Sequence, residues 1–151
     1  MPQYHSTSAA ETMLLGEICA EKYLESGTVI ALFGDLGAGK TQFVKGIARA
    51  CGIPERDITS PTFALANEFS CVFPDDGPGT LFHLDCYRFE KPEELIALGI
   101  EDYLQPKSAA TVIEWADRVQ KYLPRERIDV QIWETGPDAR TIVIEEMGTF
   151  E

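Results

Sequence analysis

The chain has 151 residues, 44% of them apolar, enough for one ordinary-sized domain with a single core. Its formal net charge is −12, and its basic residues are scattered, with only Arg125 and Arg127 near one another in sequence. An extended nucleic-acid face or an anionic lipid surface needs concentrated Lys and Arg, so both are disfavoured; a small local RNA contact is not.

The four cysteines, Cys19, Cys51, Cys71 and Cys86, are far apart, with no Cys-x-x-Cys pair. That spacing leaves no zinc or dithiol motif and predicts reduced, mostly buried thiols. Residues Met1–Ala10 are polar and lack the basic-then-apolar order of a secretory signal. No apolar run approaches the roughly 20 residues that span a bilayer. The expectation is a soluble, cytoplasmic protein without membrane contact.

From Ser8 to Ser26 the apolar residues Ala9, Met13, Leu14, Ile18 and Tyr23 or Leu24 keep helical spacing, and Gly27 follows as a stop. Thr28–Phe33 is a continuous apolar run of strand length, as a central strand covered on both faces requires. It leads into a glycine loop. Lys40–Cys51 then predicts a helix with Phe43, Val44, Ile47 and Ala48 on one face and Gly52 beyond its end. Asp57–Thr62 reads as a polar loop, Phe63–Phe73 as extended chain, and Pro74–Gly79 as a turn. Thr80–Leu84 is a second apolar strand ending at Asp85. Lys91–Gly99 is a short helix with Pro92, Glu93 and Glu94 in its first turn. Thr111–Ile113 is a third strand, ending at Glu114-Trp115. Ile128–Glu134 and Thr141–Glu145 alternate apolar and polar residues across Gly136-Pro137-Asp138, which predicts a hairpin. The whole reads as a single domain over 1–151. Its expected fold is an α/β three-layer sandwich of the P-loop NTPase type, with a mixed, mainly parallel central sheet and a C-terminal hairpin.

The glycine loop is Gly34-Asp35-Leu36-Gly37-Ala38-Gly39-Lys40-Thr41, the pattern Gly-x-x-x-x-Gly-Lys-Thr between a strand and a helix. Gly34 and Gly39 let the backbone curl so that successive N–H groups face phosphates, and the helix aims its positive end at the same anion. Lys40 is placed for the terminal phosphates and Thr41 offers a hydroxyl to Mg²⁺. Such a loop predicts binding of a nucleoside triphosphate. The chain contains no Asn-Lys dipeptide, so the guanine-reading Asn-Lys-x-Asp segment is absent and ATP is favoured.

Phosphoryl transfer also needs acids beside the metal. Asp85 and Glu114 each follow an apolar strand, at the end that faces the ligand crevice in an open parallel sheet, so both can approach one Mg²⁺. Either could instead cap its strand or pair with a base such as Arg88. Thr59-Ser60-Pro61-Thr62-Phe63 offers three hydroxyls where nucleotide switches sense the γ-phosphate, or forms an ordinary Ser/Thr turn. Trp115 is core or pocket wall. His83 reads as a satisfied structural residue rather than a ligand.

Taken together, Gly34–Thr41, Ser60-Pro61-Thr62-Phe63, His83-Leu84-Asp85-Cys86-Tyr87-Arg88, Glu93-Glu94-Leu95, Gly99-Ile100 and Ile113-Glu114-Trp115 resemble the TsaE (YjeE) family in order and spacing. The resemblance runs from about Thr12 to Arg140. Cys86 departs from it, replacing a usually apolar residue. That family is the bacterial ATPase supporting threonylcarbamoyl transfer to the adenosine beside the anticodon. The resemblance therefore implies protein partners TsaD and TsaB, and the net charge of −12 suggests that tRNA is contacted only indirectly, through them. The resemblance also implies that Lys40 and the loop backbone bind phosphates, that Thr41, Glu114 and Asp85 hold Mg²⁺, and that Asp85 supports hydrolysis. Thr62 is similar to the family's switch hydroxyl. Thr12, Asp117 and Gly136 resemble positions near the nucleotide, and Trp115 becomes a pocket wall. A small-molecule kinase and a switch module that binds ATP without hydrolysing it remain as alternatives; no Arg-rich lid of the kind kinases carry is evident.

Overall fold

The computed structural model of the chain describes residues 2–35, 37–59 and 65–148. Leu36, Ser60, Pro61, Thr62 and Phe63, named above, lie outside the described residues. The strands are β1 Gln3–Ser6, β2 Val29–Phe33, β3 Ala66–Phe73, β4 Gly77–Asp85, β5 Ala109–Glu114, β6 Arg127–Glu134 and β7 Arg140–Met147. They form one sheet in the order β1-β7-β6-β2-β5-β4-β3. The inner four, β6, β2, β5 and β4, are parallel, while β3, β7 and β1 join antiparallel at the two sides. This is the expected mixed sheet with parallel centre and C-terminal hairpin.

Two helical layers explain why β2 and β5 are apolar throughout. Ile30 and Leu32 of β2, with Ala110 and Val112 of β5, pack under α1 (Ala9–Tyr23) and α2 (Lys40–Ala50). Val29, Ala31 and Ile113 face the opposite layer. That layer holds α3 (Pro92–Ala97), α4 (Glu101–Leu104) and a 3-10 segment, Ala116–Tyr122, through Leu95, Ile100, Leu104, Ala116 and Val119. Parallel strands sandwiched in this way have no solvated face, so alternation disappears from their sequence. All four cysteines are buried free thiols. No helix among the described residues is long and apolar enough to cross a membrane.

Among the differences from the expectation, three have a clear physical cause. Residues read as a polar tail include β1, which pairs with β7 and exposes Gln3 and His5 while burying Ser6. An edge strand packed on one side needs few apolar residues, so its pattern was too weak to register. The turn before β4 is shorter than Pro74–Gly79, because β4 already begins at Gly77. Pro78 is tolerated there since β5 joins β4 only from Thr80 onward, leaving Pro78 paired to β3 alone. The 3-10 segment after Trp115 was not anticipated, its single-turn geometry leaving no clear period.

Helix α1 begins at Ser8, whose side chain accepts a 3.1 Å bond from the Glu11 N–H. Helices α1 and α2 touch through glycines: a Cβ on Gly16 would enter the Phe43 carbonyl, and one on Gly46 the Met13 carbonyl. This close crossing holds the first turn of α1 beside the start of α2. Gly46→Ala is expected to lower unfolding free energy by about 1–3 kcal/mol, the usual cost of forcing atoms into a filled core. Urea denaturation of the two proteins checks this, and an equal or higher midpoint for the variant would contradict the packing described.

Candidate functional site

The loop between β2 and α2 is shaped by its neighbours as much as by its own glycines. A Cβ on Gly34 would sit 2.6 Å from the Ile132 carbonyl of β6, so no larger residue fits there. Gly39, with φ +107°, lies in the left-handed region and forms the N-cap of α2. The first turn of α2 has no side-chain cap and no acidic residue. Its leading N–H groups are those that an α-helix cannot satisfy internally. An uncapped helix start carrying positive partial charge is a binding site for an anion.

Lys40 follows at once. It is only 4% exposed, and its Nζ donates to the Gly34 carbonyl at 2.6 Å and the Asp35 carbonyl at 2.8 Å. The ammonium also lies 4.1 Å from the centroid of the Trp115 ring, a cation–π contact. Burial pushes the Lys40 pKa down, opposed by the charges of Glu114, Asp117, Asp85 and Asp35. Four acids are thus within electrostatic reach of one lysine. Asp117, exposed in the 3-10 segment, belongs to this set.

Trp115 reaches Lys40 from an unusual backbone position. Its φ of 59° and ψ of 45° are left-handed, and it is the non-glycine residue with positive φ among those described. Such a conformation costs on the order of 1–3 kcal/mol for a residue with a side chain, and it tends to occur at functional sites. Here it turns the chain at the end of β5 and lays the indole along the loop. Tyr87 packs on the same ring at 4.9 Å between centroids. Partly buried Trp115 packs against the second apolar layer and also lines an open cavity beside Lys40.

The parallel register sets Asp85 directly beside Glu114. Asp85 Oδ1 accepts the Tyr87 N–H at 3.0 Å, fixing the carboxylate just past its strand. Glu114 is buried at 2% exposure. Its Oε1 accepts the Thr41 hydroxyl at 2.9 Å, and its Oε2 meets His83 Nε2 at 2.6 Å. Gly37, Gly39, Lys40, Thr41, Gln42, Asp85, Tyr87, Glu114 and Trp115 line one open cavity of about 370 Å³. Sequence separation between these residues reaches 78 positions, from Gly37 to Trp115; the sheet brings them to one end. A larger cavity, about 550 Å³, opens at the other end of β2 beside Lys22, Tyr23 and Arg127. It lacks a glycine loop and an uncapped helix start, so volume does not decide between them.

Thr41, Asp85 and Glu114 offer hydroxyl and carboxylate oxygens, the hard donors that Mg²⁺ takes. No group of three or more His, Cys, Asp and Glu side chains among the described residues could cage a metal. Mg²⁺ usually takes one or two carboxylates and completes its shell with water and substrate phosphates.

Thr12 and Gly136 approach from a different side. With Ser8, Ala9, Gly39, Gln42, Asp138 and Arg140, Thr12 lines an adjoining cavity of about 190 Å³. Its hydroxyl is engaged with Ser6 Oγ at 2.6 Å, and its methyl faces Gly39. The Gly136 carbonyl accepts from Arg140 Nη1 at 3.4 Å. Arg140 was not singled out from the sequence. Its Nε donates to the Ala38 carbonyl at 2.8 Å and its Nη2 to the Gly37 carbonyl at 3.2 Å, tying β7 to the loop. A lone arginine at the start of a hairpin strand gives no signal of a contact made 102 residues away.

With this geometry in place, comparison with known proteins is informative. A family model described as "Threonylcarbamoyl adenosine biosynthesis protein TsaE" matches residues 6–142. The chain is 35% identical over 146 residues to the tRNA threonylcarbamoyladenosine biosynthesis protein TsaE of Bacillus subtilis, covering 97% of this chain and 86% of that protein. It is 38% identical over 127 residues to the protein of the same name from Treponema pallidum, covering 84% and 87% respectively. The crystal structure of Bacillus subtilis YdiB superposes with a TM-score of 0.73 at 31% identity, over 97% of this chain and 86% of that one. The loop, the two acidic strand ends and the sheet that joins them thus sit on a P-loop NTPase-like fold, and the chain belongs to the TsaE family.

Proposed function

We propose that the protein binds Mg-ATP at the loop between β2 and α2 and hydrolyses it in support of tRNA threonylcarbamoyladenosine formation. The observation carrying this reading is the uncapped start of α2, with Lys40 beside it and Thr41, Asp85 and Glu114 converging on one cavity. In this reading the N–H groups of Gly37–Thr41 take the phosphate oxygens. Lys40 gives up the carbonyls of Gly34 and Asp35 for the terminal phosphates. Thr41 and Glu114 hold Mg²⁺ with Asp85 beside them, the metal supplying charge neutralisation on the transferred phosphoryl group. Asp85, held by the Tyr87 N–H, would orient the attacking water. Trp115 closes the wall of the pocket. Thr12 and the Gly136 turn border the nucleotide on the side of the smaller cavity, with Asp117 near the phosphates.

The tRNA role comes from the family and from the named relatives. In this reading the protein acts through TsaD and TsaB and leaves tRNA to them, as the net charge of −12 favours. Hydrolysis by the isolated chain is slow, because no arginine lines the cavity among the described residues, and a group supplied in trans can raise phosphoryl-transfer rates by orders of magnitude. A kinase would transfer phosphate to an acceptor, whereas this reading requires release to water.

Two outcomes follow. Asp85→Asn is expected to retain ATP binding and to lose about a hundredfold or more in phosphate release, the scale of a removed acid–base group. With TsaD, TsaB and tRNA, wild-type chain plus ATP sustains repeated modification cycles and the variant does not. Full turnover by the variant, or modification cycles that proceed equally without this chain, would refute the reading. Arg140→Met is expected to raise the Kd for Mg-ATP about tenfold. Charged hydrogen bonds contribute about 1.5–3 kcal/mol, and tenfold is about 1.4 kcal/mol. Calorimetry gives the value, and an unchanged Kd means that Arg140 does not shape the loop.

A further inference from the structure

His83 is completely buried, facing the α1–α2 layer on β4 between Leu81 and Asp85. The sequence suggests a histidine satisfied by its surroundings. Only half of it is. Nε2 meets Glu114 Oε2 at 2.6 Å, while Nδ1 is a buried polar atom without a hydrogen-bond partner among the described residues. An orphaned buried nitrogen costs free energy comparable to a lost hydrogen bond, and an aliphatic side chain at this position would avoid that cost. What the imidazole provides in return is the contact with Glu114.

A carboxylate can only accept, so this contact is donated by His83 Nε2. Glu114 Oε2 is thereby held on the buried side, and Oε1 is turned to Thr41 and the cavity. The adjacent strands make this contact reproducible: β4 and β5 are parallel, with His83 opposite Val112 and Asp85 opposite Glu114. The same strand therefore presents Asp85 to the cavity and, two residues earlier, braces the neighbouring strand's acid from below.

We infer that His83 is a positioning residue for Mg²⁺: it fixes Glu114 so that one oxygen stays available, with Thr41, to the metal. This rests on the Mg-ATP reading above and deepens it. A group orienting a metal ligand typically changes metal affinity by about 10–100-fold when removed. His83→Leu removes the donor and the orphaned nitrogen together. His83→Gln keeps an N–H donor at about the reach of Nε2.

The test is ATP binding by calorimetry across a Mg²⁺ series and in EDTA, with thermal melts of each variant. His83→Leu is expected to need at least about tenfold more Mg²⁺ for half-maximal enhancement of ATP binding, and His83→Gln is expected to recover most of that shift. In a Glu114→Ala background, His83→Leu should add nothing. If His83→Leu does not fold, His83→Asn, whose amide ends short of Glu114, replaces it with the same expected shift. A purely structural histidine would lower Tm and alter ATP binding equally with and without Mg²⁺, leaving the half-maximal Mg²⁺ concentration in place; that result overturns the inference. Wild-type chain that binds no ATP under any condition overturns the nucleotide reading itself, whereas normal wild-type binding with an unshifted variant overturns the role of His83 alone.

Discussion

The start of α2 is electrostatically unfinished, and the other features of the site are arranged around that fact. A helix normally caps its first N–H groups with a Ser, Thr, Asp or Asn side chain or an early carboxylate. Here the N-cap is Gly39, and the first turn brings Lys40 and Thr41 instead. Positive charge is thus stacked on the positive end of a dipole. The carbonyls of Gly34 and Asp35 and the face of Trp115 compensate the ammonium, and Glu114, Asp117, Asp85 and Asp35 act on it over longer range. A triphosphate offers a stronger complement than two neutral carbonyls, since it brings full negative charge to the ammonium and to the helix start.

Packing holds this arrangement in place. Gly16 and Gly46 let α1 and α2 meet backbone to backbone, which brings Thr12 against Gly39. From the other side Arg140 binds the carbonyls of Gly37 and Ala38. The loop is therefore gripped by the first helix and the last strand, and the residues between them in sequence supply the acids. Beneath it runs a buried polar line from Thr41 through Glu114 to His83. Buried polar groups in an apolar sheet are costly unless paired, and this line pairs all but the His83 Nδ1, which has no partner among the described residues.

The sequence made the central sheet legible because β2 and β5 are buried on both faces and carry unbroken apolar runs. The phosphate loop was legible because its glycines and Lys-Thr pair answer a backbone requirement that few other arrangements share. Asp85 and Glu114 could be placed at one end of the sheet from the parallel topology alone, and their register confirms them as neighbours. Other features depended on contacts between distant segments. Gln3–Ser6 has little apolar signal, yet pairing with β7 makes it a strand. Arg140 and the His83–Glu114 bond are invisible without the folded chain. The left-handed turn at Trp115 is equally hidden, since nothing in a Glu-Trp dipeptide announces positive φ. Thr62 and Leu36 stand as sequence expectations outside the described residues.

The most direct measurement is a crystal structure of the protein with Mg²⁺ and a non-hydrolysable ATP analogue. The account predicts phosphates against the amides at the start of α2, Lys40 Nζ moved from the Gly34 and Asp35 carbonyls onto them, and Mg²⁺ between Thr41 and Glu114 with Asp85 adjacent. An analogue bound elsewhere, or Lys40 still on those carbonyls with Asp85 and Glu114 turned away from the ligand, would contradict it.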